Sequence, residues 1–443
     1  VDYIQAVEIC NGADERIIGT HFARTDQVKY RFVDLFAGLG GFHVGLSKAG
    51  HECVFACELQ DDLRRLYKRN FGITPAGDIR KIEASAIPRH DVLCAGFPCQ
   101  PFSLAGKKRG AACPSSGKLI DDVFRIAAYH RPKYVLLENV PNVLSIADGT
   151  FWAHIKNSFS GLGYEVQYRI YSPLEFGIPQ QRYRLFVVAS LDGLDNFEWP
   201  EPHGVTVKPL WEFIGTASAD AKAIEPEKLK ALKHWNKLVS QLKGFSSETI
   251  LAAEFGATYP LEGLLPGKRW KNHCGAFGDK LLALETREEA IQALPHYADV
   301  NNNGATPNWM RKSILYSRAL YASDPKFFDT WKLGVRGFHN SWQKLEWRGD
   351  RRFRSIWKQT LQFRASGIRV MKPEMAPSLI AMTPTQTPII GAIKRYLGIR
   401  EAASLQALEG LTEFPATQGA AFRSLGNAVN AHIVNKIATA LLE

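Results

Sequence analysis

The sequence predicts an α/β fold, a doubly wound sheet that carries a second, smaller inserted domain. Three observations predict it. Tyr30-Arg31-Phe32-Val33-Asp34-Leu35-Phe36 is an apolar strand that runs into the glycine turn Ala37-Gly38-Leu39-Gly40-Gly41 and a helix over 42–49. Such a sheet begins this way, with a ligand over its first turn. Apolar strands ending in a polar residue or a turn then recur at 51–56, 92–94 and 134–137. Between Ser190 and about Pro377 the composition shifts to charged helical segments and loops, after which an apolar helix closes the chain.

With 443 residues, 45% of them hydrophobic, the chain can build a full core, which excludes a disordered polypeptide. No apolar run is long enough to span a bilayer and no signal-peptide pattern opens the sequence. A cytoplasmic protein without a membrane partner is therefore expected. The seven cysteines are scattered. Cys53 and Cys57 have the wrong spacing for a paired zinc knuckle, so no metal site is expected, and free thiols suit a reducing compartment. The net charge of +11 is uneven: from Trp331 to Lys372, eleven Lys or Arg face two acids, Glu346 and Asp350. That concentration points to a polyanionic partner.

Residues 1–29 show weak periodicity and no motif, and read as an extension on the domain. In the glycine turn the spacing is not G-x-G-x-x-G, because His43 stands three residues after Gly40; a dinucleotide dehydrogenase is disfavoured. Glu58 closes the second strand twenty residues after Gly38, where an acid can bind two ribose hydroxyls; a solvated strand-end acid is the alternative. A helix over 61–70 puts Leu63, Leu66 and Tyr67 on one face. Asp78 follows a short turn and can accept from an adenine amino group, with Ile79 against the ring.

Val92-Leu93-Cys94 leads through Gly96-Phe97-Pro98 to Cys99, with Pro98 fixing the backbone just before the thiol. A lone cysteine is ordinarily an inert core residue. Here Gln100 and Ser103 flank it and Lys107, Lys108 and Arg109 follow, and positive neighbours stabilise a thiolate. Residues 104–118 read either as a surface loop or as a lid closing on phosphates. A helix spans 119–130. The strand over 134–137 ends in Glu138-Asn139-Val140, and a carboxyl at a buried strand end tends to a raised pKa and can donate a proton; a capping or ion-paired acid is the alternative. Gln180, Arg182 and Arg184 precede the strand over 185–189. Arginines at i and i+2 on extended chain point the same way and suit a base oxygen or phosphates, or surface ion pairs. In the basic stretch Arg336, Arg348, Arg351, Arg354 and Arg364 are candidate DNA contacts, and the interleaved aromatics read as core. Ser424-Leu425-Gly426-Asn427-Ala428-Val429-Asn430 opens the last helix, expected to dock back on the sheet.

Taken in order, these stretches resemble the motifs of the DNA cytosine-5 methyltransferases over nearly the whole chain beyond residue 29. Phe36-Ala37-Gly38-Leu39-Gly40 resembles the cofactor loop, Glu58 the ribose acid, and Asp78-Ile79 the adenine contacts. Pro98-Cys99-Gln100 resembles the nucleophile motif, Glu138-Asn139-Val140 the cytosine-N3 motif, and Gln180, Arg182 and Arg184 the Gln-x-Arg-x-Arg motif. Gly426-Asn427-Ala428-Val429 resembles the closing cofactor motif. One departure stands out: where the family usually has Arg-Leu-Gln-Gly-Phe-Pro, this chain has Ser404-Leu405-Gln406-Ala407-Leu408-Glu409, which puts target geometry in doubt more than catalysis.

The resemblance implies a mixed, doubly wound sheet that binds S-adenosylmethionine. It implies a catalytic domain over 30–190, a target-recognition domain over 191–415 and a return over 416–443, with duplex DNA between the domains. It further implies a monomer, with a cognate restriction or defence system as partner. Cys99 would attack C6 of a flipped cytosine, Glu138 would donate to N3, and Arg182 and Arg184 would complete the catalytic set. Phe36, Gly38, Gly40, Glu58, Asp78, Ile79, Pro98, Asn427 and Val429 would hold the cofactor. Gln100, Ser103, Lys107, Lys108 and Arg109 would meet DNA. An RNA methyltransferase on the same domain and a catalytically silent DNA-binding protein remain open as alternatives.

Overall fold

A computed structural model of the chain describes residues 28–98, 119–202, 204–214, 218–242, 249–252, 284–286, 289, 308–379 and 386–443. The first part runs β1 (Arg31–Leu35), α1 (Gly41–Lys48), β2 (Glu52–Cys57), α2 (Asp61–Phe71), β3 (Val92–Ala95), α3 (Leu119–His130), β4 (Tyr134–Asn139), α4 (Thr150–Gly161), β5 (Glu165–Tyr171), β6 (Gln180–Gln181) and β7 (Arg184–Ser190). Its six-stranded sheet has the order β2-β1-β3-β4-β7-β5. β1 pairs in parallel with β2 and β3, and β3 with β4, whereas β7 is antiparallel to both β4 and β5. The sheet is thus mixed and doubly wound. From β1 the chain steps to β2 on one side and to β3 on the other, which opens a crevice beyond the carboxyl ends of these strands. The apolar strand runs arise because helices cover both faces.

The second part holds α5 (Leu210–Phe213), α6 (Pro226–Gln241), β8 (Thr249–Ala252), α7 (Asn308–Ser323), α8 (Pro325–Leu333), β9 (Lys344–Arg348), β10 (Thr360–Arg364), β11 (Gly367–Met371), β12 (Ala376–Pro377), β13 (Ile389–Ile390) and β14 (Arg395–Tyr396). All but β12 among these strands form a six-stranded sheet in the order β14-β13-β10-β11-β9-β8. Trp235, Trp331, Trp347 and Phe363 are buried in its core. The aromatics of the basic stretch therefore hold this sheet together, as expected. β12 leaves it and pairs in parallel with β6, Ala376 against Gln180, so the second sheet is tied to the segment that carries Arg182.

The chain then returns through α9 (Ile399–Ser404), α10 (Gln418–Asn427) and α11 (Ala431–Leu442). Ala402, Leu405, Leu408 and Leu425 share a junction core with Leu39, Leu63 and Leu66. One expectation is corrected here. The segment from Ser424 does not open a continuous helix: the chain breaks at Ala428, whose ψ of 144° is extended. Asn430 then caps α11 by accepting from the His432 and Ile433 amides, the usual work of Asn before a helix. α11 does dock back, with Val434 and Ile437 in one core with Phe42 and Leu46 of α1. Among the described residues no helix is long and apolar enough to cross a membrane.

Candidate active site

The first wall of the site is the turn after β1. Phe36 and Gly38 have φ of 58° and 54°, and Gly40, which precedes α1, has 81°. Only glycine takes this conformation without steric cost. A Cβ on Gly40 would also stand 2.5 Å from the Phe71 ring. The turn so formed aims the Gly38 amide at Glu58, whose Oε2 accepts it at 3.0 Å, while Oε1 accepts the Gln60 amide at 2.8 Å. Gly41 lets the other end of the chain approach, since a Cβ there would stand 2.3 Å from the Val429 carbonyl oxygen. Asp78 takes the Arg80 amide at 3.1 Å and its guanidinium at 2.6 and 2.8 Å. That bonding holds the Asp78 carboxyl below the ordinary carboxylate range.

The second wall is built on the ends of β3, β4 and β7. Asn139 donates through Nδ2 to the Phe97 carbonyl at 2.9 Å and accepts the Val140 amide at 2.8 Å. It thereby staples the turn at Pro98 to the end of β4. Glu138 is buried, and the Arg184 Nε lies 3.1 Å from its Oε1, close enough for an ion pair but without hydrogen-bond alignment. Burial raises the Glu138 pKa, and the opposing charges of Arg184 and Arg182 offset only part of that rise.

Arg182 and Arg184 do not form a parallel pair. β6 stops at Gln181 and β7 starts at Arg184, so the two-residue repeat of a strand does not carry across. Arg184 turns to Glu138. Arg182 turns inward and donates to the Gly426 and Ala428 carbonyls at 2.7 and 2.9 Å, and to the Ser378 hydroxyl at 3.3 Å. Burial pushes its pKa down to about 9.

Both walls face one cavity of about 680 Å³. Phe36, Gly38, Glu58, Asp78 and Ile79 line one side of it, and Pro98, Glu138, Arg182 and Arg184 line another. Asn427 and Val429 bring the C-terminal segment to the same space. Gly40 is the exception, placed under the turn instead of on the wall. Asn139, Ser378 and Arg423 also line the cavity. Asn139 stood inside the Glu-Asn-Val motif, but Ser378 and Arg423 carried no spacing signal, being brought in by the fold alone.

A family model for the C-5 cytosine-specific DNA methylases matches residues 30–443. The chain belongs to that family. It is 39% identical to the type II methyltransferase M.MspI of Moraxella sp over 198 residues, which cover 44% of this chain and 47% of that protein. It is 28% identical to the type II methyltransferase M.AluI of Cellulosimicrobium cellulans over 92% of this chain and 91% of that one. The chain spans about half the length of the first curated relatives it matches. A crystal structure from E. coli, described as a prophage-encoded DNA modification methyltransferase, has the same fold. Its TM-score is 0.51 at 17% identity, over 93% of this chain and 98% of that one. The sheet is accordingly an S-adenosylmethionine-dependent methyltransferase fold.

The family's nucleophile motif and the basic run after it lie outside the described residues: Cys99, Gln100, Ser103, Lys107, Lys108 and Arg109. In the second lobe, Arg336, Arg348, Arg351 and Arg354 are exposed. Arg364 is half-buried. It faces Glu346 at 3.8 Å, beside Arg369 at 2.9 Å from the same carboxylate. The basic stretch is thus part structural and part open.

Proposed function

We propose that this protein is a DNA cytosine C5 methyltransferase that flips a target cytosine from duplex DNA, attacks C6 with the Cys99 thiolate and transfers a methyl group from S-adenosylmethionine to C5. What carries the reading is one juxtaposition. A buried acid paired with an arginine, Glu138 with Arg184, shares a cavity with Pro98, the residue before Cys99, and with the acids Glu58 and Asp78.

The cavity residues fit the cofactor chemically. Glu58 is fixed by two backbone amides and keeps lone pairs for ribose hydroxyls. Asp78 can accept an amino group, Phe36 and Ile79 offer apolar surface, and Asn427 closes the far side. When bound, S-adenosylmethionine supplies an electrophilic methyl group on a sulfonium. Cys99 forms a bond to C6 and pushes electron density toward C5; once C5 carries the methyl group, its proton leaves to water and the C6–S bond breaks to release the thiolate. Glu138, whose pKa burial raises, can carry a proton to N3 and draw off the charge that develops there. Arg184 stays ionised beside it and suits the base carbonyl oxygen.

In the proposed partition, residues from about 30 to 190 carry the chemistry. The second sheet, within 191–415, reads the target, and residues 416–443 return to the first lobe. Duplex DNA is the proposed substrate and a cognate restriction system the proposed partner. Incubation with tritiated cofactor and either plasmid or tRNA should label the plasmid; labelled tRNA would move the substrate to RNA. Wild type should form a covalent adduct with duplex DNA containing 5-fluorocytosine, because no proton can leave C5. Cys99→Ser should not, while still binding DNA. Equal trapping by the serine variant removes Cys99 from the mechanism.

A further inference from the structure

Arg182 is 2% exposed, yet none of its hydrogen bonds goes to a carboxylate. A guanidinium buried on neutral acceptors is unfavourable by itself. Its place explains what it accomplishes. The two carbonyls it holds belong to Gly426 and Ala428, the neighbours of Asn427 on either side. Asn427 itself is exposed into the cavity. The backbone of Arg182 is anchored in turn, its amide donating to the buried Ser172 hydroxyl at 3.1 Å. On the other side its charge acts on Glu138. Arg184 and Arg182 are the charged groups, among the described residues, that bear on that acid.

We propose that Arg182 is a positioning residue that sets the C-terminal cavity segment at Asn427 and the acid Glu138 with one guanidinium, so that the two walls of the cavity are built to a common geometry. The proposal rests on the methyltransferase reading of the site. It separates into two parts that chemistry can take apart. The planar fork holds two carbonyls at once, which a lysine ammonium cannot reproduce. The positive charge favours ionised Glu138, which a lysine preserves and a methionine of similar volume does not.

Arg182→Lys and Arg182→Met are therefore compared with wild type by calorimetric titration of S-adenosylhomocysteine and by single-turnover methylation of plasmid DNA against pH. Arg182→Lys should bind S-adenosylhomocysteine about tenfold more weakly, the scale of one lost charged hydrogen bond, with its pH profile unmoved. Arg182→Met should lose at least as much affinity and also shift its profile. Removing the cation raises the Glu138 pKa, so the protonated acid persists further, and the limb on which rate falls with rising pH moves to higher pH. Wild-type affinity in both variants, or a limb that stays in place in Arg182→Met, overturns the proposal. A lower melting temperature with unchanged affinity and profile in the folded fraction means packing only and overturns it too. If neither variant folds, Ser378→Ala decides, since it deletes one acceptor of the fork. About a threefold loss of S-adenosylhomocysteine affinity at an unchanged melting temperature is expected, and wild-type affinity overturns the proposal. Wild type failing to bind S-adenosylhomocysteine would count against the methyltransferase reading itself; wild-type binding with insensitive variants counts against this inference alone.

Discussion

Asp34 lies in β1, two residues before the turn at Phe36, and is 1% exposed. Its Oδ2 accepts from the Tyr67 hydroxyl at 3.3 Å, and that hydroxyl also meets His43 Nδ1 at 2.7 Å. Burial pushes the Asp34 pKa well above the ordinary carboxylate value and drives the His43 pKa down to about 4. Burial thus favours the uncharged form of each group in the native protein. The sign for stability follows. Native Asp34 keeps a proton that the unfolded chain releases above pH ~4, so stability falls as pH rises between the unfolded and folded pKa values. Asp34→Asn removes that dependence while preserving an acceptor. Its melting temperature relative to wild type should improve from pH 5 to pH 8. A difference that stays flat over this range would mean that Asp34 is ionised in the fold.

At the scale of an element, the segment after α9 shows how a departure from family pattern is absorbed. Ala407 stands where the family usually has glycine, and it takes φ +54°. Around it the backbone is closely held. The buried Gln406 donates through Nε2 to Gln180 Oε1 at 2.6 Å, its carbonyl accepts from the Ala431 amide at 3.0 Å, and the Leu405 carbonyl accepts from Asn430 at 3.1 Å. These bonds impose the left-handed turn on Ala407. Ala407→Gly should change stability by less than about 1 kcal/mol. Relief of roughly 1–2 kcal/mol of strain is offset by a more flexible unfolded chain and about one lost buried methyl. Ala407→Val should cost more than about 2 kcal/mol, because a β-branched side chain fits neither the dihedral nor the buried site. Urea unfolding gives the order, Gly close to Ala and Val well below. Val equal to Ala would show that the turn is not held.

For the whole molecule, the lobes meet along β6–β12 and the junction core, with the cavity beside that seam and the basic sheet beyond it. Arg351 and Arg354 are exposed and have no ion-pair partner among the described residues. Arg364 instead supports Glu346, together with Arg369 and the Ser366 hydroxyl at 2.7 Å. The three arginines should therefore separate. Arg351→Ala and Arg354→Ala should each weaken duplex binding and reduce the slope of log affinity against log salt by about one unit, without lowering the melting temperature. Arg364→Ala should lower the melting temperature and leave the slope nearly unchanged. Fluorescence anisotropy at several salt concentrations, with melts alongside, checks this. Equal slopes in all three variants would make the exposed face a solvated surface.

The local motifs were legible in the sequence because each rests on short-range physics. A glycine turn after an apolar strand needs φ values that its own residues supply, and a strand end carries its last polar side chain to the crevice. Glu58, Asp78 and Glu138 were located this way, and the cavity has all three. The break at Ala428 escaped because apolar periodicity continues across it, and only the Asn430 cap marks the restart. The direction of Arg182 escaped for a different reason. Its partners stand 244 and 246 residues away, and no local pattern encodes a contact at that separation. The same holds for Arg364, whose charge is answered across β11 and β9 by Glu346. By itself the sequence determined the family, the order of the strands' chemistry and the residues offered to the cavity. Only the tertiary structure decided which arginines stand exposed or line the cavity and which hold the protein, because the burial of a charge depends on neighbours that chain folding, not chain order, brings close.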